Sequence, residues 1–314
     1  MKRILFALIL FTGLAWNGPL WAETPLTLML DWFPNVDHLP IYVAQEKGFF
    51  DEQGLAVEIL SPSDTADALK LAAAGKVDLA VSYEPQTVMA AARGIDVRVV
   101  GRLIEHPLTT LLYLKSSGFT KPADLSGKTI GYTVPGLMDV LMDAFAKVNG
   151  IENYRLVNVG FSIVPALSAG RVDAVMGPFK TYETVTMAAE GLEAGFFELE
   201  KWGIPDYDEL VFICGAETLS REKKRITAFV KAVARGIEVI EASPEAALAA
   251  YFQAVPDADR KVETAAFRLT RPYYAKRQVC DPERWQTFAD FALKHGLIER
   301  PVAVAPLLPA LDAD

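Results

Sequence analysis

Ala74-Gly75-Lys76-Val77-Asp78-Leu79-Ala80-Val81 is answered about 95 residues later by Ala169-Gly170-Arg171-Val172-Asp173-Ala174-Val175-Met176. Each stretch follows a helical pattern, reads as a strand and feeds another helix. The downstream helices also correspond, Val88-Met89-Ala90-Ala91-Ala92-Arg93-Gly94 against Thr186-Met187-Ala188-Ala189-Glu190-Gly191. One short Gly-basic-Val-Asp match arises by chance in α/β chains. The two matches together predict two lobes of similar α/β design.

The pattern around the first copy alternates strand and helix. Strands are expected at Leu26–Leu30, Ala56–Leu60 and Val77–Ser82, and helices at Ile41–Lys47, Thr65–Ala74 and Pro85–Arg93. The second lobe is expected over 116–208. It opens with the turn Lys121–Lys128 into a strand Thr129–Tyr132, a helix Leu137–Lys147, and strands Leu156–Val159, Ala174–Met176 and Phe196–Leu199. Leu111–Leu114 and Glu209–Ile213 are then the two passages between lobes, which makes the first lobe discontinuous, 23–115 with 209–314. Its remainder is helical over Arg221–Glu241, Pro244–Ala254, Asp259–Tyr274 and Pro282–His295. The Pro- and Ala-rich tail Pro301–Asp314 is expected to be loose.

Ahead of all this, residues 1–22 read as a secretory leader: Lys2 and Arg3, an apolar run Ile4–Trp16, and the small residue Ala22 before the cut. The run is broken by Thr12, Gly13, Asn17, Gly18 and Pro19, and falls short of the roughly 18–20 residues a membrane span needs. No Cys follows it to take a lipid, so a soluble exported product is expected. Cleavage removes two bases and no acid, which takes the formal charge from -9 to -11. Such a surface repels nucleic acid and anionic lipid. Only Cys214 and Cys280 occur. They either pair in an oxidising compartment or stay as two buried thiols, and their spacing is not that of a metal site.

In parallel sheets ligands bind beyond the carboxyl ends of the strands. That rule selects the loops Asp31–Leu39, Ser61–Asp64, Ser82–Gln86 and Gly177–Glu183, with the helix start at Pro135-Gly136 as a fifth. A cleft between two lobes buries a small ligand from both sides, and closure reports occupancy. Asp31-Trp32-Phe33-Pro34-Asn35-Val36-Asp37-His38 is the densest polar-aromatic cluster. Trp32 offers a large face for a planar ligand, the alternative being a core residue. Asn35 both donates and accepts, the alternative being a turn-forming Asn. Asp31 and His38 complete the loop. Tyr182 and Glu183 follow the second-lobe strand and suit an exocyclic amine beside a ring nitrogen, the alternative being a solvated helix face. Tyr83 and Glu84 hold the corresponding place in the first lobe. Pro135 and Gly136 offer free helix N–H groups to an anion, without a basic partner nearby.

The sequence lacks a phosphate-binding Gly-rich loop, a Gly-x-Ser-x-Gly elbow and a His-Glu-x-x-His pair. His38, His106 and His295 are far apart in sequence. No enzyme, cofactor or metal is expected.

Leu30-Asp31-Trp32-Phe33-Pro34-Asn35, with Tyr42-Val43-Ala44 and Lys47-Gly48-Phe49-Phe50, resembles the thiamine-pyrimidine synthases and their periplasmic binding-protein relatives. Gly75–Ser82, Asp124–Lys128 and Gly170–Val175 add support and are shared with sulfonate, nitrate and taurine binders. The resemblance spans about Leu26 to Ala254. It implies a type II periplasmic-binding-protein fold, α/β, with two lobes, a two-stranded hinge and a cleft. It also implies a monomeric receptor in the periplasm that passes a small molecule to the permease and ATPase of an ABC importer. The ring of a thiamine pyrimidine precursor, formylaminopyrimidine or hydroxymethylpyrimidine, would be held by Trp32, Asn35, Tyr83 and Glu183, with Tyr42 a further candidate.

Two departures accompany the resemblance. The Cys-rich motif of the synthases is reduced here to Phe212-Ile213-Cys214-Gly215, and the usual Asn-x-Asn-His reads Asn35-Val36-Asp37-His38. The alternatives that stay open are a binder of a sulfonate, nitrate or riboflavin precursor, a synthase-like enzyme, and a sensing module for a membrane signalling partner.

Overall fold

The computed structural model describes residues 24–311, so the expected leader at 1–22 lies outside the described residues. The chain first lays down β1 (Thr24–Met29), α1 (Leu39–Glu46), β2 (Leu55–Leu60), α2 (Asp67–Ala73), β3 (Leu79–Ser82), α3 (Glu84–Ala92) and β4 (Val97–Ile104). It crosses over and builds β5 (Thr109–Leu114), β6 (Thr129–Tyr132), α4 (Met138–Asn149), β7 (Arg155–Asn158), α5 (Ile163–Ser168), β8 (Ala174–Phe179), α6 (Glu183–Ala189) and β9 (Ala194–Glu198). It then returns through β10 (Leu210–Gly215) to α7 (Ala216–Ala242), α8 (Pro244–Ala254), α9 (Arg260–Thr270) and α10 (Pro282–His295).

The strands form two five-stranded sheets of one design, β2-β1-β3-β10-β4 and β7-β6-β8-β5-β9. In each, the lobe's first strand runs parallel to its second and third. Its fourth strand is separated from the third by an antiparallel strand that has just crossed from the other lobe: β10 in the first sheet, β5 in the second. The two α/β lobes expected from the repeated octapeptide are therefore present.

The repeat itself is a structural device. Gly75 and Gly170 take left-handed backbone angles, φ +62° and +66°, which an L side chain would strain. Val77 and Val172 are buried. Asp78 Oδ2 then accepts the Thr27 N–H of β1 at 2.8 Å, and Asp173 Oδ2 accepts the Thr129 N–H of β6 at 2.8 Å. Each Asp pins the opening strand of its own lobe.

Two expectations are corrected. Residues 111–114 and 210–213, both expected to pass between lobes, lie within β5, paired to β8 and β9, and within β10, paired to β3 and β4, so the crossings fall at 105–108 and 199–209. Pairing on both edges commits the whole strand to one sheet. The tail is not loose over its described part: Val302, Val304 and Leu307 are buried, and the turn Ala305–Leu307 packs on β4. Their apolar side chains outweigh the Pro-rich composition.

The long helix α7 covers the first sheet because Ile226, Phe229, Val230, Val233, Ile237 and Ile240 recur on one face and are all buried. Phe229 stacks on Phe50 at 5.4 Å and meets Phe212 edge-on at 5.1 Å. Both cysteines are buried and free. Among the described residues no helix is long and apolar enough to cross a membrane.

Candidate functional site

The carboxyl ends of β1, β3, β6 and β8 face a pocket between the lobes with about 370 Å³ of empty space, its open mouth included. The first lobe contributes Asp31, Trp32, Asn35, Asp37, His38, Tyr83 and Leu210; the second contributes Thr133, Ile163, Gly177, Phe179 and Glu183. Of the residues expected from the sequence, Asp31, Trp32, Asn35, His38, Tyr83 and Glu183 meet here.

Asp31 stands just after β1 and is almost fully buried. Its Oδ2 accepts the Tyr83 hydroxyl at 2.7 Å and its Oδ1 pairs with His38 Nε2 at 2.9 Å. Burial, then the charge of Asp31, holds the Tyr83 hydroxyl well above its usual range, so it stays a donor. With Nε2–H given to Asp31, His38 Nδ1 is buried without a partner, as is Trp32 Nε1.

Asn35 caps the short 3₁₀ turn Val36–His38, its Oδ1 accepting the Asp37 N–H at 2.8 Å. It is thus both the turn-former and a pocket residue. Asp37, which the reading of the loop passed over as a contact, also lines the pocket. Thr270 Oγ1 on α9 donates to its Oδ1 at 3.0 Å. Burial pushes its carboxyl up to about 8, partly offset by His38 and reinforced by Glu183 and Glu263. At neutral pH Asp37 is therefore mostly a neutral acid able to donate a hydrogen bond.

Tyr83-Glu84 and Tyr182-Glu183 occupy matching helix starts in the two lobes, yet their roles are exchanged. In the first lobe Tyr83 faces the pocket while Glu84 Oε2 accepts the Asp208 N–H at 2.7 Å. In the second, Glu183 faces the pocket while Tyr182 turns away to donate to Glu263 Oε1 at 2.8 Å. Glu183 Oε2 accepts the Phe179 N–H at 2.6 Å, and burial pushes its carboxyl up to about 7 against that bond.

The remaining candidates do not line the pocket. Tyr42 packs edge-on against Tyr251 at 5.7 Å behind the loop. Glu84 is committed to the Asp208 backbone and Tyr182 to Glu263. Pro135 and Gly136 precede α4 rather than starting it, and the Gly136 N–H is taken by Asp139 Oδ1 at 2.7 Å. That bond removes the expected anion site, since the donor is already satisfied within the chain.

Trp32 makes a different contact from the open face expected. From the first lobe it reaches into the small apolar cluster of the second, with Ile163, Val164 and Leu167, its ring 4.5 Å from Phe161. Ile163 follows β7, so the strand-end rule applied to that strand would have found it. Gly177 and Phe179 fall within the selected Gly177–Glu183 loop and Thr133 stands just before the selected helix start at Pro135-Gly136, whereas Leu210 on the return strand carried no signal. The crossings are fixed by Glu209, whose carboxyl accepts the N–H groups of Leu108 and Thr109 at 2.6 and 2.7 Å.

A family model described as NMT1/THI5 like matches residues 35–247. A Haemophilus influenzae protein named for thiamine biosynthesis is 38% identical over 308 residues, 97% of this chain and 98% of its own length. A formylaminopyrimidine-binding protein of Halalkalibacterium halodurans is 30% identical, over 88% of this chain and 86% of its own. A 4-amino-5-hydroxymethyl-2-methylpyrimidine phosphate synthase of Saccharomyces cerevisiae is also 30% identical, over 80% of this chain and 77% of its own. Among solved structures, the alkanesulfonate-binding protein SsuA of Xanthomonas axonopodis pv. citri, bound to MOPS, superposes with a TM-score of 0.71 at 18% identity, over 90% of this chain and 97% of that one. At that identity the likeness shows the fold, which is the type II periplasmic-binding-protein architecture.

Proposed function

The chain belongs to the NMT1/THI5-like family, and from that premise we propose that it is a periplasmic substrate-binding protein that captures an aminopyrimidine of the thiamine-precursor type for an ABC importer. In this reading residues 1–22 are a cleaved leader, the mature chain is a monomer, and its partners are a membrane permease and ATPase. Asp31, Trp32, Asn35, Asp37, His38, Tyr83 and Glu183 contact the ligand.

One observation carries the choice of ligand: Asp31, Asp37 and Glu183 line the pocket and, among the described residues, no Lys or Arg does. An ionised carboxylate repels an anion and a protonated one gives it no counter-charge, while either can receive hydrogen-bond donors. The alkyl sulfonate and nitrate alternatives are thereby disfavoured. An exocyclic amine beside a ring nitrogen makes two hydrogen bonds with one carboxyl, provided the pair shares one proton. Glu183, pushed up to about 7, supplies that proton near neutrality. Aromatic Trp32, Tyr83 and Phe179 supply flat apolar walls, worth about 0.5–1.5 kcal/mol per ring pair beyond area burial.

The same observation weighs against the synthase reading that the yeast relative's name raises. The product in that name carries a phosphate, which a carboxyl-lined pocket without a cationic side chain does not favour. Calorimetric titration of the purified chain from residue 23 onward, with formylaminopyrimidine, hydroxymethylpyrimidine, its phosphate and an alkyl sulfonate, tests the proposal. Saturable binding of the unphosphorylated pyrimidines alone is expected. Preference for the phosphate or the sulfonate refutes it.

A further inference from the structure

Glu263 lies outside the pocket and outside residues 35–247 that the family model matches, yet it joins the two loops that form the pocket. It stands on α9, which packs against α8 and the turn Val36–His38 and so moves with the first lobe. Its Oε2 accepts the N–H of Val36 at 2.9 Å, between the pocket residues Asn35 and Asp37. Its Oε1 accepts the hydroxyl of Tyr182 at 2.8 Å, one residue before the pocket residue Glu183 of the second lobe. Both side chains are buried, Glu263 3% exposed and Tyr182 8%.

Tyr182 and Glu263 lie on opposite sides of the cleft, α6 resting against α9. Parting the lobes breaks their bond and leaves a buried hydroxyl and carboxyl to find water. The other side-chain bond bridging the cleft beside the pocket, Thr65 Oγ1 to the Thr133 carbonyl at 2.7 Å, ends on backbone and touches neither Asn35–Asp37 nor Glu183. Among the described residues the Glu263 carboxyl alone bonds to both pocket-forming loops at once.

We propose that Tyr182 and Glu263 form an interlobe latch in which Glu263 is a positioning residue: it orders the Asn35–Asp37 wall and favours the closed form without contacting ligand. The part concerning ligand rests on the cleft being the binding site; the part concerning closure does not. The Tyr182–Glu263 bond is one of the buried contacts that opening breaks, so its loss alone shifts the closing equilibrium about 3–10-fold.

The test uses spin labels at Lys70→Cys on α2 and Ser168→Cys on α5, both exposed, the native thiols being buried. Interlobe distances are measured without ligand in the otherwise native chain and with Tyr182→Phe, a change that conserves volume, and with Glu263→Gln as a second variant. A shift of the population toward longer distances in both variants is expected, with Tyr182→Phe still melting cooperatively and its midpoint lowered by no more than one buried hydrogen bond accounts for. Identical distance distributions, or a shift accompanied by loss of folding cooperativity, overturn the latch. Titration with formylaminopyrimidine forms the second arm. If the native protein binds, Tyr182→Phe raises Kd through faster dissociation with unchanged association; an unchanged dissociation rate overturns the coupling. If the native protein binds no aminopyrimidine while the distances still shift, the ligand assignment fails and the latch stands.

Discussion

The Tyr83 hydroxyl and the Asp31 carboxyl meet at 2.7 Å in the floor of the cleft, and the other oxygen of Asp31 holds His38. One first-lobe carboxylate therefore fixes both the rotamer of an aromatic wall and the orientation of an imidazole. Asp31→Asn replaces one accepting oxygen by a donor facing a donor. A stability loss of about 1–3 kcal/mol is expected from the unsatisfied buried partner. Urea unfolding measures it, and an unchanged midpoint would show that the triad is not a structural unit.

Glu183→Ala removes the second-lobe carboxyl and is expected to weaken an aminopyrimidine about 10–100-fold, the loss of charge-assisted bonds of about 1.5–3 kcal/mol. Because the bound pair shares one proton, affinity of the native protein falls as pH rises above about 7. Glu183→Gln, whose amide both donates and accepts, retains more affinity and flattens that slope. Titrations at pH 6, 7, 8 and 9 decide it; a slope of the opposite sign excludes the shared proton.

Folding stability without ligand should also fall with pH. The carboxyl of Asp37 is raised from 3.8 to about 8, and those of Glu183 and Glu209 from 4.5 to about 7. Between the ordinary and raised values the folded state binds more protons than the unfolded one, so stability is greatest near the lower end and declines as pH climbs through the upper. Asp37→Asn should lessen the decline between pH 5 and 8. Denaturant midpoints across that range provide the measurement, and a rise with pH would contradict the burial of these groups.

Gly177 lines the pocket with φ +123°, and a Cβ there would run into the side chain of Thr133. Gly177→Ala is expected to spread β6 and β8 beside the pocket, abolishing ligand binding while the circular dichroism spectrum persists. A second change, Thr133→Ser, removes a methyl but leaves the colliding hydroxyl and should not rescue; Thr133→Gly should restore part of the affinity.

Cys214 and Cys280 are buried free thiols, the first pushed up to about 12 by burial and the second well above its usual range by the same cause. A thiol reagent added to the folded protein should label neither, and in denaturant should label both. Fast labelling of the folded chain would contradict their burial.

Much of the fold was legible because its signals are local. The Gly-x-Val-Asp octapeptides carry a helix stop, a core residue and a strand clamp within a few residues, and their repetition announced two lobes. The strand-end rule located the Asp31–His38, Tyr83 and Gly177–Glu183 loops, since chain direction within a parallel sheet decides which loops converge. The exchange of roles between Tyr83-Glu84 and Tyr182-Glu183 was not legible. Two equivalent dipeptides at equivalent helix starts differ only in their partners, Asp208 for one and Glu263 for the other, and those partners come from distant parts of the chain.

By itself, the sequence determined an α/β chain of two like lobes, the loops that meet between them and the acidic, aromatic character of their contents. Those follow from periodicity and residue type, which act over neighbouring residues. The tertiary structure alone decided which side chains face the cleft and in what protonation state. Asp37 is held as an acid because packing against α9, more than 220 residues further on, takes its carboxyl out of water, which outweighs the bond it accepts from Thr270, and desolvation is a property of that packing rather than of the loop.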